Sequence, residues 1–142
     1  MNFSGPVLVS IATYFLMLVA YRYRSKLWFH IPVMSAIIVY DICMPFYLYS
    51  TRDWYRRLIE QEEIFSMMIW THVMLLITLY VLYTLQVIAG RQLLKGNNNE
   101  AREDHAAQGK GILIARALVI LSAMMLVEPE RPVEAVALLI GG

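Results

Sequence analysis

The sequence predicts an all-α integral membrane protein, an antiparallel bundle of four transmembrane helices in a single domain (residues 1–142). Hydrophobic residues make up 59% of the 142 residues and charged residues only 16%, whereas soluble domains carry about 25% charged residues. The mean hydropathy is +0.55. Four apolar runs approach the length of about 20 residues that a helix needs to cross a bilayer.

The four predicted spans cover residues 6–21, 28–49, 64–89 and 111–127. The first ends at a basic cluster that includes Arg22 and Arg24. Because these charges follow the apolar run and do not precede it, the first span is not expected to be a cleaved signal peptide. The connection at 22–27 is too short for anything but a tight turn, so the first two spans are predicted to be antiparallel neighbours.

The segments outside the spans are polar and differ in character. Residues 50–63 mix both signs of charge and are predicted to form a surface helix with Trp54 and Tyr55 at the membrane interface. Residues 90–110 are predicted to be an exposed, mobile loop. Two prolines, Pro129 and Pro132, end the fourth span, and residues 128–142 are expected to form a surface tail.

The basic residues predict the orientation. The first and third connections contain seven Lys and Arg residues, and the second connection and the tail contain four. The positive-inside rule therefore places both termini outside a bacterial cytoplasmic membrane. The net charge of +1 argues against nucleic acid as a partner, because phosphate binding needs a basic excess.

Ionisable residues inside the spans are the main candidates for function, because they are costly in a bilayer. Asp41 and His72 lie at the same predicted depth on inward-facing stripes, so we expect them to contact each other. Tyr14 and Ser122 fall in or near this outer layer. Such a pair either cross-links two helices or serves metal, redox or proton chemistry.

A second polar layer is predicted near the cytoplasmic face, where His30, Gln86, His105 and Arg116 can converge. Arg116 either extends to the interface or binds an anionic head group or a haem propionate. His105 is either solvated or a ligand. His30 and His72 differ in depth by about 15 Å at helical rise, too far for one metal ion.

Sulfur-containing residues are concentrated in the outer half of the predicted bundle. Cys43 and Met44 lie near Asp41 in the sequence, and further methionines lie near His72. Soft sulfur ligands beside imidazole suit copper, although methionine is also ordinary packing material. The predicted metal ligands are His72, Asp41, Cys43 and Met44. A single cysteine excludes a disulfide framework.

Three histidine-centred segments carry a family resemblance. They are the run His30-Ile-Pro-Val-Met34, the run His72-Val-Met-Leu-Leu76, and His105 ahead of a final span that contains glycine. In this order they resemble the YozB/CtaM-like family of four-helix bacterial membrane proteins, over about residues 28–126. The resemblance implies a role in assembling or maturing haem-copper terminal oxidases. It also implies that His30, His72 and His105 contact haem or copper.

These observations favour a small subunit or maturation factor of a membrane respiratory or redox complex. Haem or copper are the candidate cofactors, with His30, His72, His105 and Arg116 as contacts, and catalysis by the chain alone is not expected. The alternative is a structural subunit whose polar residues join helices and whose apolar tail, residues 133–140, docks on a larger membrane complex. A third hypothesis is a proton or small-solute conduit through the layer of Asp41 and His72.

Overall fold

The computed structural model describes residues 5–51, 63–96 and 99–126, and within these ranges the chain is helical. The helices are α1 (Gly5–Arg22), α2 (Leu27–Thr51), α3 (Glu63–Lys95) and α4 (Asn99–Met125). All four are long and apolar enough to cross a membrane. The predicted surface helix in the second connection and the predicted tail at 128–142 lie outside the described residues, apart from the helix ends at 50–51 and 63.

The turn between α1 and α2 is closed by backbone hydrogen bonds. The amide of Lys26 donates to the carbonyl of Tyr23 at 2.9 Å, and the amide of His30 donates to the carbonyl of Lys26 at 2.9 Å. The second of these bonds closes the first helical turn of α2. The turn therefore fixes His30 at the beginning of α2, beside the end of α1.

The prediction of a mobile loop at 90–110 is wrong. Helix α3 continues to Lys95, and α4 begins at Asn99. The polar segment is rich in strong helix formers such as Ala, Glu, Gln and Arg. Glu100 in the first turn of α4 and Lys95 in the last turn of α3 also favour the helix ends electrostatically. Charge ends an apolar span, but it does not end a helix.

Helices α3 and α4 form the most extensive contact between helices in the described part of the chain. Small residues on the buried face of α4, Ala101, Gly109 and Ala115, allow the two backbones to approach. Four contacts follow the helices along their length: Gly90 with His105, Gln86 with Gly109, Leu82 with Gly111, and His72 with Ser122. From one contact to the next, the residue number on α3 decreases while the residue number on α4 increases.

The core is small and lies in the middle of the bundle. Its buried residues are Met17, Ile37, Leu79, Tyr83, Ile112 and Ala115. Helix α2 contributes only Ile37. Large apolar side chains on all four helices are exposed, among them Trp28 and Phe46. A surface of this kind is typical of a chain that meets lipid or a partner.

Candidate functional site

The centre of the bundle contains a buried ion pair between α2 and α4. Arg116 donates from Nε to Asp41 Oδ2 and from Nη2 to Asp41 Oδ1, both at 2.8 Å. Arg116 is 2% exposed and the Asp41 side chain 11%. The pair is bidentate, the arrangement in which a planar guanidinium matches a carboxylate best.

Two further side chains complete this group, which we call the four-helix cluster: Thr13, Asp41, Tyr83 and Arg116. The Tyr83 hydroxyl donates to Asp41 Oδ2. Thr13 Oγ1 accepts from Arg116 Nη2 at 2.9 Å. Each of the four helices therefore contributes one side chain. Tyr80 adds a hydrogen bond of 3.0 Å to the backbone carbonyl of Asp41.

The predicted contact between Asp41 and His72 is wrong. The Asp41 carboxylate binds Arg116 and Tyr83, and His72 Nδ1 lies 2.7 Å from Ser122 Oγ. Of the predicted outer layer, His72 and Ser122 meet, whereas Tyr14 donates to the carbonyl of Leu113 at 3.3 Å. On α3, the residues that contact Asp41 are Tyr80 and Tyr83, and Tyr83 is eleven residues further along the helix than His72.

The prediction that Arg116 lies near the cytoplasmic end of its helix is also wrong. Because α4 begins at Asn99, Arg116 lies well inside the helix. Its guanidinium is bound by Asp41 and does not lie with His30, Gln86 and His105. Its Nη1 atom is buried and has no hydrogen-bond partner among the described residues.

The other three residues of the predicted inner layer do converge. His30, Gln86 and His105 line one cavity of about 360 Å³, within the usual range for small-molecule sites. The rings of His30 and His105 lie 6.4 Å apart between centroids, with an angle of 72° between their planes. This cavity, with the residues that line it, is called the inner cavity below.

Local structure orients both imidazoles. His30 Nδ1 lies 3.0 Å from the carbonyl of Ala20 in α1. A carbonyl only accepts, so Nδ1 carries the proton, and in a neutral ring Nε2 keeps its lone pair. His105 Nε2 lies 3.3 Å from Gln86 Nε2. The ring of His105 packs against Gly90, where an added Cβ atom would lie 3.4 Å from His105 Cε1.

Two side-chain atoms of residues that line the inner cavity are shielded from solvent and have no hydrogen-bond partner among the described residues. They are Gln86 Oε1 and His105 Nδ1, and both are buried. Gln86 as a whole is 7% exposed. Buried polar atoms are rarely left unpaired without a functional or ligand-related reason.

Charged residues line the same cavity on its exposed side. They are Arg24, Arg102 and Glu103. The Arg24 guanidinium lies 5.4 Å from the centre of the Tyr21 ring, which also lines the cavity. The inner cavity thus combines imidazole groups in its interior with two cationic groups and one anionic group toward the outside.

The four residues of the predicted copper site have separate surroundings. Asp41 is held by Arg116, and His72 is hydrogen-bonded to Ser122. Cys43 is exposed, and Met44 is half-buried. The structure therefore does not place Asp41 and His72 in one ligand set, and Cys43 faces away from the bundle interior.

Several residues of these sites escaped the sequence analysis. Thr13, Tyr80 and Tyr83 belong to the four-helix cluster or its border, and Tyr21, Arg24 and Arg102 line the inner cavity. Tyr83 lies one turn before Gln86 on α3, so helical spacing alone places it on the same face. Arg24 lies within the predicted turn at 22–27, and a tight turn there also sets it near His30.

Comparison of the chain with protein-family models, with curated proteins and with solved structures found no match. The resemblance to the YozB/CtaM-like family therefore stays a prediction. The geometry of the described residues is the basis for a proposal about function.

Proposed function

We propose that this protein is a small accessory subunit or maturation factor of a membrane respiratory or redox complex, and that it contacts a haem or copper centre through its inner cavity. The observation that carries the proposal is the pair of imidazoles, His30 and His105, on one cavity with ring centroids 6.4 Å apart. Imidazole is a common ligand of haem iron and of copper.

The proposed setting is a bilayer that all four helices cross as an antiparallel bundle. The four candidate spans support insertion, and the opposite running order of contacts along α3 and α4 supports antiparallel packing. The count of seven basic residues against four supports termini on the outer side of a bacterial cytoplasmic membrane. In that orientation the inner cavity lies toward the cytoplasm.

A larger partner is part of the proposal. The chain has a small core, and its exposed surface is dominated by large apolar side chains, which suits contact with other membrane helices as well as lipid. In this proposal the chain passes electrons or a cofactor to that partner. The resemblance of the three histidine segments to an oxidase-assembly family points to the same class of partner.

A second candidate function is a structural subunit of a larger membrane complex. It is favoured by the four-helix cluster, in which Asp41 and Arg116 satisfy each other inside the chain. Polar side chains used in this way join helices and need no ligand. The two functions differ in whether the histidines of the inner cavity are required.

The test is purification of a tagged chain from its own membrane in mild detergent, together with measurement of haem and copper in membranes that lack the chain. We expect a haem- or copper-containing complex to co-purify, and the deletion to lower the amount of that complex. Complementation with His30→Ala plus His105→Ala should fail, whereas His72→Ala should restore the complex.

Two outcomes contradict the proposal. If the double histidine variant restores the complex as well as the wild type does, the structural subunit replaces it. If the chain purifies without any redox complex and the deletion leaves membrane haem and copper unchanged, the chain is neither an accessory subunit nor a maturation factor of such a complex.

A further inference from the structure

We infer that the inner cavity binds one phospholipid with an ethanolamine headgroup, which places the headgroup at the charged mouth of the cavity and one acyl chain along its apolar interior. This inference goes beyond the proposed function. It uses the proposed bilayer setting but no partner, and it concerns the chain before the cavity meets a partner's centre. The observations that carry it are the depth, the shape and the charge of the cavity.

The depth of the cavity matches one leaflet of a bilayer. The four-helix cluster lies in the middle of the bundle, and Glu103 is thirteen residues before Arg116 on α4, which corresponds to about 20 Å along the helix. The hydrocarbon core extends about 15 Å on either side of its centre, so Glu103 lies at headgroup level. At the deep end, Leu113 is three residues from Arg116, and Met17 is four residues from Thr13. The cavity therefore extends from headgroup level to within about 6 Å of the cluster.

Exposed aromatic side chains mark the headgroup level beside the turn between α1 and α2. Tyr23 and Trp28 are both exposed, and Lys26 Nζ lies 5.5 Å from the centre of the Tyr23 ring. Tryptophan and tyrosine are enriched where the hydrocarbon core meets the headgroups. Arg24 lies between these two aromatic residues in the sequence and lines the mouth of the cavity. The mouth is therefore at the level of lipid phosphate and amine groups.

The cavity is long and narrow. On α4 its lining residues extend from Arg102 to Leu113, eleven residues or about 16 Å along the helix. Because the volume is about 360 Å³, the mean cross-section over this length is about 22 Å², close to that of a single extended hydrocarbon chain. Met17, Met34, Leu93 and Leu113 provide an apolar lining. These proportions suit one acyl chain better than a compact solute.

The arrangement of the helices gives the cavity a lateral route to the bilayer. Extensive contacts between helices in the described part of the chain join α1 with α2, α1 with α4, and α3 with α4, but not α2 with α3. In the middle of the bundle, α2 and α3 are connected by the hydrogen bonds of Tyr80 and Tyr83 to Asp41. Met34 on α2 and Leu93 on α3 line the cavity. An acyl chain can therefore enter between α2 and α3 without separating α3 from α4.

The two signs of charge at the mouth select the headgroup. Arg24 and Glu103 are exposed and line the same cavity, but they form no ion pair with each other. The Arg24 guanidinium lies 5.4 Å from the centre of the Tyr21 ring, a contact that leaves its N–H donors available to a phosphate. The Glu103 carboxylate can accept hydrogen bonds from an ammonium group. An ethanolamine headgroup supplies the phosphate and the ammonium together.

Other common headgroups match this mouth less well. A glycerol headgroup adds negative charge beside Glu103 and offers that carboxylate no cation. A choline headgroup has a positive charge, but its trimethylammonium group has no N–H to donate to a carboxylate. We therefore assign phosphate binding to Arg24 and selection of the amine to Glu103.

The experiment measures lipid binding to the purified, delipidated full chain in detergent by native mass spectrometry. Three probes are phosphatidylethanolamine, phosphatidylcholine and phosphatidylglycerol with the same acyl chains. The fourth is glycerophosphoethanolamine, which has the headgroup and no acyl chain. We expect one phosphatidylethanolamine per chain, bound at least about 10-fold more tightly than each of the other three probes.

Charge variants separate the two ends of the headgroup. Glu103→Gln should bring the affinities for phosphatidylethanolamine and phosphatidylcholine within about 3-fold of each other, because the amine loses its charged partner. Arg24→Gln should weaken the binding of both lipids by about 10-fold, because both carry a phosphate. Asp104→Asn and Lys26→Gln are the matched controls. Both residues are exposed, lie close to the mouth in the sequence and are not among the lining residues, so these variants should bind as the wild type does.

Two neighbouring alanines test the position of the acyl chain. Ala106 lines the cavity, whereas Ala107 is exposed and does not line it. Ala106→Phe should abolish the binding of phosphatidylethanolamine, and Ala107→Phe should leave it unchanged. In the wild-type chain, a phosphatidylethanolamine with a diazirine at the end of its acyl chain should label Met17 or Leu113. This labelling keeps the inference testable if Ala106→Phe fails to fold.

Several outcomes would overturn the inference. They are tighter binding of phosphatidylglycerol than of phosphatidylethanolamine, equal binding of all three lipids, wild-type binding by Ala106→Phe, and labelling confined to the outer surface of the bundle. Binding of glycerophosphoethanolamine as tightly as the whole lipid would also overturn it, because the ligand would then be water-soluble. These outcomes are separable from the proposed function, which is judged by co-purification and by the deletion strain.

Discussion

The guanidinium of Arg116 donates one hydrogen bond of 2.8 Å to each carboxylate oxygen of Asp41, and so joins α4 to α2 in the middle of the bundle. Tyr83 from α3 donates to the same carboxylate, and Thr13 from α1 accepts from the same guanidinium. A charge in this position is costly unless it is paired. Each partner therefore depends on the other for its place in the fold.

The coupling of this pair can be measured with a double-mutant cycle. Asp41→Leu and Arg116→Met should each lower the free energy of unfolding by about 3 kcal/mol, because each leaves a buried charge unpaired. The double variant should lower the free energy of unfolding by less than the sum of the two single losses, and the difference should be at least about 1 kcal/mol. Equilibrium unfolding in mixed micelles gives these values.

The control cycle combines Arg116→Met with His72→Ala, which share no hydrogen-bond partner. These two changes should add within about 0.5 kcal/mol. Additivity of Asp41→Leu and Arg116→Met would show that the ion pair contributes no coupling.

Substitutions of Tyr80 and Tyr83, which both donate a hydrogen bond to Asp41, should destabilise the protein to different extents. Tyr83→Phe removes a hydrogen bond to a charged carboxylate, which contributes about 1.5–3 kcal/mol. Tyr80→Phe removes a bond to a neutral backbone carbonyl, which contributes about 1 kcal/mol or less. The comparison of unfolding free energies tests the ranking. Equal losses, or a larger loss for Tyr80→Phe, would contradict the placement of Tyr83 in the cluster.

The contact between Gly90 and His105 predicts a size limit at this position. A Cβ atom at Gly90 would lie 3.4 Å from His105 Cε1, an ordinary contact, and Ala has the higher helix propensity. Gly90→Ala should therefore be neutral or stabilising by up to about 1 kcal/mol. Gly90→Leu should destabilise by about 1–3 kcal/mol through overpacking.

Gly96 is the matched control for this series, because an added Cβ atom there has no neighbour within 4 Å. Gly96→Leu should leave unfolding unchanged within about 0.5 kcal/mol. If Gly90→Leu is as well tolerated as Gly96→Leu, the two helices do not approach each other at His105 as the structure has them.

The proposed orientation is testable by thiol labelling in intact cells. In a Cys43→Ala background, Gly96→Cys should resist a membrane-impermeant maleimide, because the connection after α3 is proposed to face the cytoplasm. Thr51→Cys, at the last residue of α2, should react with the maleimide, because that end of α2 is proposed to face outward. Both positions are exposed in the structure. The reverse labelling pattern would invert the topology, and permeabilised cells show that both thiols are reactive.

Helix existence was predictable because it depends on composition along the chain. The four apolar runs identified all four helices, and the first two ended within two residues of the predicted bounds. The convergence of His30, Gln86 and His105 was also predictable, because His30 begins its predicted span, Gln86 lies near the end of its own, and His105 precedes the fourth span. The same reasoning also placed Arg116 in this layer, whereas the structure pairs Arg116 with Asp41 and does not have it at the inner cavity.

The partners of Asp41 were not predictable by the same reasoning. Depth was counted from the ends of apolar runs, but α4 begins twelve residues before the predicted span, so the boundary of the apolar run was a poor measure of position in the helix. Depth also does not show which side chains face each other: the Asp41 carboxylate is bound by Arg116 and Tyr83.

The sequence by itself determined which four segments of the described residues form apolar helices and which histidines gather near one end, because hydropathy and charge act residue by residue. Only the tertiary structure decided that Asp41 pairs with Arg116 and that His72 is hydrogen-bonded to Ser122. That choice depends on how far each helix extends and how it is rotated against its neighbours. Rotation and offset are set by packing of small residues such as Gly109 and Ala115 between α3 and α4, and no single helix carries that information.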